Sequence, residues 1–318
     1  MNLCGKVLVT GGAGFIGSHL VDKLASIECV EEVKVLDNFS TGKIENLKTH
    51  LGKPKLSIIK GDVRSQETVR KVMKEINYVF HEAAIASVPL SVKDPLTTHN
   101  VNVIGTLNLL EEARVNDSIF IYASSCAVYG DPKRIPISEE DPPKPISPYG
   151  ASKLSAESYC IAYNKTYGLK TVCLRYFNVY GPRQSYSQYA GVITIFIHKA
   201  MKKEPLTIYG DGKQTRDFIY VEDVVNANLV AATCNKAYGE VINVGTGKET
   251  SINELALKIG RIFGFEKPRM IYEKARSGDI RRSLADVTRM KRILGYVSKF
   301  DVDEGLPRVI KWVRKENQ

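Results

Sequence analysis

Residues 6–17 read KVLVTGGAGFIG: an apolar, β-branched run, a glycine turn, and the opening of an amphipathic helix at Phe15 or Ile16. Gly12, Gly14 and Gly17 fit the pattern GxGxxG. In a strand-turn-helix unit of this kind Gly11 and Gly12 permit the tight turn, Gly14 lets backbone approach a pyrophosphate at the helix N-terminus, and Gly17 allows the helix to pack on the strand. Asp37, twenty residues after Gly17, ends the next apolar run. An acid there binds an adenosine ribose 2′-hydroxyl and repels a 2′-phosphate, so the expected cofactor is NAD rather than NADP. Asp62 and Val63 follow a third run, where a carboxylate can accept from an adenine amino group, and Ala83 and Ala84 follow a fourth. Small residues at that last place either let backbone approach the cofactor or make a tight structural turn.

The rhythm continues outward from this unit. Residues 6–10, 33–36, 56–59, 78–81, 119–122 and 171–176 read as buried strands, and amphipathic stretches at 18–25, 66–76, 102–114 and 148–167 alternate with them. Strand alternating with helix predicts an α/β fold: a Rossmann-like, doubly wound parallel sheet with helices on both faces and its ligand at the C-terminal strand ends. Residues 131–148, rich in Pro and acids, read as a surface loop. After residue 177 loops, helices and isolated short strands take over. The expected division is an NAD-binding region 1–177 and a smaller C-terminal α/β substrate-binding region 178–318, with 240–244 a strand returning to the main sheet.

Composition narrows the class. The chain has 318 residues, 43% hydrophobic and 25% charged, which is ordinary for a globular protein rather than a disordered one. A net charge of +10 raises nucleic acid as a partner, but the Lys and Arg residues are scattered with only short pairs such as Lys202-Lys203, so no nucleic-acid surface is expected. The six cysteines show no CxxC and no clustering with the five histidines, which predicts reduced, buried thiols and no metal site. The N-terminus runs almost directly into a strand, leaving no room for a cleavable signal, and no apolar run approaches a membrane span. A cytoplasmic protein is expected.

Residues 147–153, SPYGASK, carry the chemistry. Ser147 and Pro148 make a helix start, and Tyr149 and Lys153, four apart, share one helix face. A free tyrosine is too protonated to act as a base at neutral pH, and a cation beside it favours the phenolate. Upstream, residues 123–130 read ASSCAVYG, presenting Ser124 and Ser125 at a strand's C-terminal end. No His and carboxylate motif accompanies either serine, which speaks against acyl transfer.

With these motifs the chain resembles the extended short-chain dehydrogenase/reductase superfamily, and within it the UDP-sugar 4-epimerases. The likeness runs from TGGAGFIGSHL through LDNFSTG, GDVR, HEAA, NVNVIGT, SSCAVYG, SPYGASK and RYFNVYGPRQ to GDGKQTRDFIYVEDV, NVGTG and RSGDIRRSLADV. It implies Tyr149 as catalytic base, Lys153 as the lysine that lowers its pKa and holds the nicotinamide ribose, Ser125 as hydroxyl partner and Ser124 as a supporting hydroxyl. On the cofactor side it adds Asn38, Ser40, Gly42, Asn102 and Tyr176. On the substrate side it implies Ser87, Ser125, Tyr149, Asn178, Arg216, Arg276, Asp279 and Ser283, the arginines suiting a diphosphate. A homodimer through helices matching 102–114 and 148–167 is implied as well.

The expected reaction is inversion of C4 of a UDP-sugar through a transient 4-keto sugar. Related dehydratases carry an Asp-Glu pair where Cys126 and Ala127 stand, and related UDP-glucuronate decarboxylases a Glu at Ala127, which disfavours both. Cys126 itself reads as a small buried residue. Ser283 matches a gate beside the sugar C2 substituent and is small enough for an N-acetyl group, pointing to UDP-GlcNAc and UDP-GalNAc, with UDP-glucose and UDP-galactose as a second pair. The alternatives are a UDP-glucuronate 4-epimerase or decarboxylase and, in another class, a non-catalytic NAD-binding regulator.

Overall fold

Val7, Leu8, Val9 and Thr10 are completely buried, as a strand covered on both faces must be. The structure, a computed structural model, describes residues 3–186, 191–275 and 280–316. Among the described residues the strands are β1 Gly5–Thr10, β2 Val30–Asp37, β3 Leu56–Lys60, β4 Tyr78–His81, β5 Ile119–Ser125, β6 Thr171–Tyr176, β7 Asn178–Tyr180, β8 Leu206–Tyr209, β9 Thr215–Arg216, β10 Phe218–Tyr220, β11 Val241–Val244, β12 Thr250–Ser251, β13 Met270–Glu273 and β14 Arg282–Ser283. The helices are α1 Phe15–Ala25, α2 Gln66–Val72, α3 Val88–Lys93, α4 Pro95–His99, α5 Gly105–Val115, α6 Pro148–Tyr167, α7 Val192–Met201, α8 Val221–Thr233, α9 Ile252–Ile262 and α10 Val302–Glu316.

Seven strands form one sheet in the order β11-β6-β5-β4-β1-β2-β3, every neighbouring pair parallel. This is the Rossmann-like α/β fold, and β11 is the returning strand. Successive side chains of β1 face opposite sides. Val7 and Val9 join Leu20 and Leu24 of α1 and Val224 and Leu229 of α8, while Leu8 joins Val69, Leu109, Ala156 and Cys160 on the other face. A separate core, with Tyr180, Phe196, Ile208, Leu255 and Ile310, holds the C-terminal region together.

Three local expectations change. The 102–114 stretch opens with a π-helical turn, Asn100–Ile104, before α5. There the Gly105 N–H reaches back five residues to Asn100 O, and Thr106 Oγ1 donates to Asn102 O at 2.6 Å. The 131–148 loop is pinned at Ile137, which is 1% exposed and exchanges backbone bonds with Leu284 O and Asp286 N at 2.8 and 2.9 Å. Cys4 and Cys29, expected as free thiols, are joined in a disulfide, whereas Cys126, Cys160, Cys173 and Cys234 are free. The pairing is invisible in linear spacing because it follows from strand register, Gly5 lying opposite Val30 in the sheet. No helix among the described residues is long and apolar enough to cross a membrane.

Candidate active site

The turn after β1 is held by backbone: Gly11 N–H donates to Leu36 O at 2.8 Å and Gly14 N–H to Gly11 O at 2.9 Å. Gly11 has φ +67°, and a Cβ there would lie 2.8 Å from Ala83 N; one on Gly17 would lie 2.2 Å from Gly11 O. Neither place admits a side chain. α1 begins without a side-chain cap, so its first amides keep donors that no intrahelical acceptor takes. Gly11, Gly14, Phe15, Ile16 and Gly17 line a groove of about 400 Å³ that runs on over Asp37, Asn38, Ser40, Asp62, Val63, Ala83 and Ala84. Gly12 is buried behind it, and Gly42 stands close to the Asp37 carboxylate, where a Cβ would lie 2.9 Å from Oδ2.

Asp37 accepts from Ala13 N–H at 3.0 Å and Phe39 N–H at 2.8 Å. A carboxylate has room for about four hydrogen bonds, which leaves capacity for ribose hydroxyls. Asp62 is gripped by Arg64 through Nε and Nη2 at 2.9 and 2.7 Å, and that guanidinium holds its carboxyl down to about 2. Asn38 Nδ2 donates to the same carboxylate at 3.3 Å. Asn102 is buried, with Nδ2 on Ile85 O and Ser152 Oγ at 3.1 and 2.9 Å and Oδ1 on Ile85 N–H at 2.8 Å. Its amide ties the segment after β4 to α6, so it bears on the groove through that segment. Ser87 caps α3, accepting from Leu90 N–H at 3.3 Å.

α6 starts as expected, Ser147 Oγ accepting from Gly150 N–H at 3.1 Å. Ser91 Oγ also accepts the Tyr149 N–H at 3.0 Å. Burial pushes the Tyr149 phenol up to about 12, outweighing the Ser125 hydroxyl that favours its ionised form. Lys153 is not what moves it. The ammonium is buried, donates to Ala123 O at 2.7 Å and lies 5.0 Å from the Tyr122 ring centroid. Helical spacing set the shared face correctly, but the lysine's reach into the strand end is a tertiary matter. Ser124, on the opposite side of β5, donates to Glu157 Oε2 at 2.6 Å, and Glu157 is paired with buried Arg175. Tyr176 Oη meets Glu82 Oε1 at 2.8 Å.

A second cavity of about 290 Å³ has Asn178, Gln184, Tyr209, Gln214 and Arg216 in its wall. Asn178 Nδ2 donates to Asp217 O at 3.1 Å, and Arg216 Nη1 to Thr215 O at 2.7 Å. Ser283 is buried opposite Arg216 in the β9 and β14 pairing, and its hydroxyl bears on the thiol of Cys126, the residue after Ser125. Burial raises the Cys126 thiol to about 11, so it is inert at neutral pH. Arg276 and Asp279 lie outside the described residues. Gln184 and Gln214 stand in RYFNVYGPRQ and GDGKQTRDFIYVEDV, where a neutral amide carries no signal of its own, and a single acid such as Glu82 in HEAA carries none either.

A cradle that a Cβ would fill and a helix start with open amides suit the diphosphate of a dinucleotide. With Tyr149, Ser125 and Lys153 at the same edge of the sheet, fold and centre define an NAD-dependent enzyme of the short-chain dehydrogenase/reductase class. Comparison with known proteins agrees. The chain belongs to the NAD dependent epimerase/dehydratase family, whose model matches residues 7–245. It is 38% identical over 317 residues to the UDP-glucose 4-epimerase of Mycolicibacterium smegmatis, covering 98% of this chain and 100% of that one. Among solved structures, UDP-glucose 4-epimerase of Thermotoga maritima with UDP-glucose matches with TM-score 0.92 and 40% identity over 98% of this chain and 100% of the other. UDP-N-acetylglucosamine 4-epimerase of Methanobrevibacter ruminantium M1, in complex with UDP-N-acetylmuramic acid, matches with TM-score 0.93 and 41% identity over 98% and 99%. The protein is an isomerase with NAD as cofactor.

Proposed function

We propose that the protein is a UDP-sugar 4-epimerase that inverts C4 through a transient 4-keto sugar, acting on UDP-GlcNAc and UDP-GalNAc and also on UDP-glucose and UDP-galactose. The observation that carries this is the convergence of α6 on the end of β5, where the Lys153 ammonium donates to Ala123 O at 2.7 Å and Ser125 bears on the Tyr149 phenol, together with a groove along the glycine turn and a second cavity that carries Arg216. Asp37, Asn38, Ser40 and Asp62 hold the adenosine half of NAD, and the turn at Gly11 to Gly17 its diphosphate. NAD, when bound, supplies a reversible hydride acceptor beside a cationic ring. Tyr149 as phenolate takes the proton of the sugar 4-hydroxyl and later returns it, with the Ser125 hydroxyl steadying the oxygen that changes charge. Because burial holds the phenol well above neutral pH, its ionisation needs positive charge brought close, which the nicotinamide ring would supply when NAD is bound, with Lys153 holding the nicotinamide ribose. Asn178 and Arg216, with Arg276 and Asp279, hold the UDP part while the sugar turns. A buried serine at 283 leaves space for an N-acetyl group.

Incubating the protein separately with UDP-GlcNAc, UDP-glucose and UDP-glucuronate and following products by proton NMR tests this. The expected result is the C4 epimer from UDP-GlcNAc. A pentose from UDP-glucuronate would replace the reading with decarboxylation, and no change in any sugar would leave a non-catalytic NAD-binding protein. Tyr149→Phe is expected to retain NAD and to lose roughly 100- to 10,000-fold in rate; near-normal turnover would refute its role as base.

A further inference from the structure

Glu82, the residue after β4, lines the NAD groove. Its Oε1 accepts the Tyr176 hydroxyl at 2.8 Å, and Asn228 Nδ2, on α8, donates into the same phenol oxygen at 2.7 Å. The phenol proton has two acceptors in reach, Glu82 Oε1 at 2.8 Å and Asn228 Oδ1 at 3.0 Å, and the ionised carboxylate is the stronger and the nearer. Three elements, β4, β6 and α8, therefore converge to fix one acidic group on the floor of the groove. No step described above uses it.

His81 pairs with Tyr122 in the sheet, so Glu82 stands beside Ala123, whose carbonyl holds the α6 ammonium of Lys153 at 2.7 Å. From β6 there is Tyr176, paired with Ser125, and the charges of Lys153 and Tyr149 on α6 act on Glu82 across this gap. Cys126, after β5, bears on Tyr149. His81, next in β4, is held neutral between Thr10 and Thr106 and bears on Lys153 rather than on Glu82. α8 offers only the neutral Asn228. Glu82 is thus the one acid among them, facing one cation and one proton-transferring phenol.

We propose that Glu82 is a positioning residue of the reaction centre: fixed by Tyr176 and Asn228, its carboxylate keeps Lys153 cationic and opposes the Tyr149 phenolate, so three groups rather than two set the pH window of proton transfer. This role of Glu82 rests on Tyr149 being the proton-transferring group. Glu82 and the Tyr149 phenolate are like charges in a poorly solvated site and disfavour each other's ionised forms, while the Lys153 ammonium is the cation that Glu82 offsets. Burial raises the Glu82 carboxyl and lowers Lys153, while their mutual attraction works against both shifts. Removing the carboxylate eases formation of the phenolate and, at the same time, eases loss of the Lys153 proton. Both limbs of the pH profile then move to lower pH.

The test uses the NAD-loaded protein with Glu82→Gln and Glu82→Ala, which remove the charge, and Glu82→Asp, which keeps it. Two readouts are taken: the pH profile of kcat/KM for epimerisation, and the phenolate ultraviolet difference titration with Tyr149→Phe as the subtracted background. E82Q and E82A are expected to shift the rising limb and the Tyr149 titration down by roughly one pH unit, with E82D staying near wild type. If E82Q does not fold, E82A against E82D carries the comparison. A folded, NAD-retaining E82Q or E82A with an unmoved titration would overturn the proposal, as would equal shifts in all three variants, which would make the effect one of packing. Absence of epimerisation in the wild type would overturn the functional reading instead, while the titration would still report on Glu82.

Discussion

At the residue scale the site rests on side chains whose roles differ by atom. His81 shows how. Thr106 Oγ1 gives its own proton to Asn102 O at 2.6 Å, so it accepts from His81 Nε2 at 2.9 Å. Thr10 Oγ1, which receives Ala83 N–H at 3.3 Å, donates to Nδ1 at 2.6 Å. The neutral ring is fully satisfied, and a second proton would meet a donor. Burial, helped by the Lys153 charge, holds His81 down to about 3, and burial holds His19 down to about 4, against 6.5 for a free histidine. Below pH 6.5 the unfolded chain therefore binds more protons than the folded one, and this contribution to stability, complete above that pH, is lost as pH falls toward the folded values. Thermal melts are expected to show stability declining between about pH 6.5 and 4, by on the order of 1 kcal/mol per pH unit for each histidine, and His81→Gln to show a shallower slope. An equal slope in the variant would refute this account of His81.

At the scale of elements, α1 and α6 carry the site for different reasons. α1 needs the glycine contact at its start, since a Cβ on Gly17 would come within 2.2 Å of Gly11 O, backbone that cannot rotate away. Gly17→Ala is expected to lift the helix start, cost about 1 to 3 kcal/mol and lose the cofactor on desalting, read from the thermal midpoint and the nucleotide absorbance retained. Retention of NAD at wild-type level would rule the contact out as essential. α6 is delimited by signals legible in the chain, Ser147 and Pro148 at its start and Gly168 with φ 71° at its end. Its bounds were accordingly read to the residue. α2, read as 66–76, ends at Val72; Met73 is still right-handed and bonded to Val69 O, Glu75 takes the left-handed region at φ 59°, and no breaker in the sequence marks the place.

At the scale of the molecule, α4, α5 and α6 leave Leu96, Val115, Tyr159 and Tyr167 between 42% and 77% exposed. Apolar side chains left open on neighbouring helices fit a two-fold interface. Light scattering is expected to give twice the chain mass, and a monomer at micromolar concentration would exclude a stable homodimer. The sequence by itself determined the sheet, the glycine cradle, Asp37 at the end of β2 and the helix that carries Tyr149 and Lys153, because strand burial, turn chemistry and helical spacing are local and periodic. It could not determine which way Lys153 reaches, that Ser124 faces Glu157 rather than Ser125, that Cys4 meets Cys29, or that Glu82 joins Tyr176 and Asn228. Those depend on strand register and on contacts between segments far apart in the chain, 94 residues from Glu82 to Tyr176 and 52 from Tyr176 to Asn228, and such contacts leave no period along the chain.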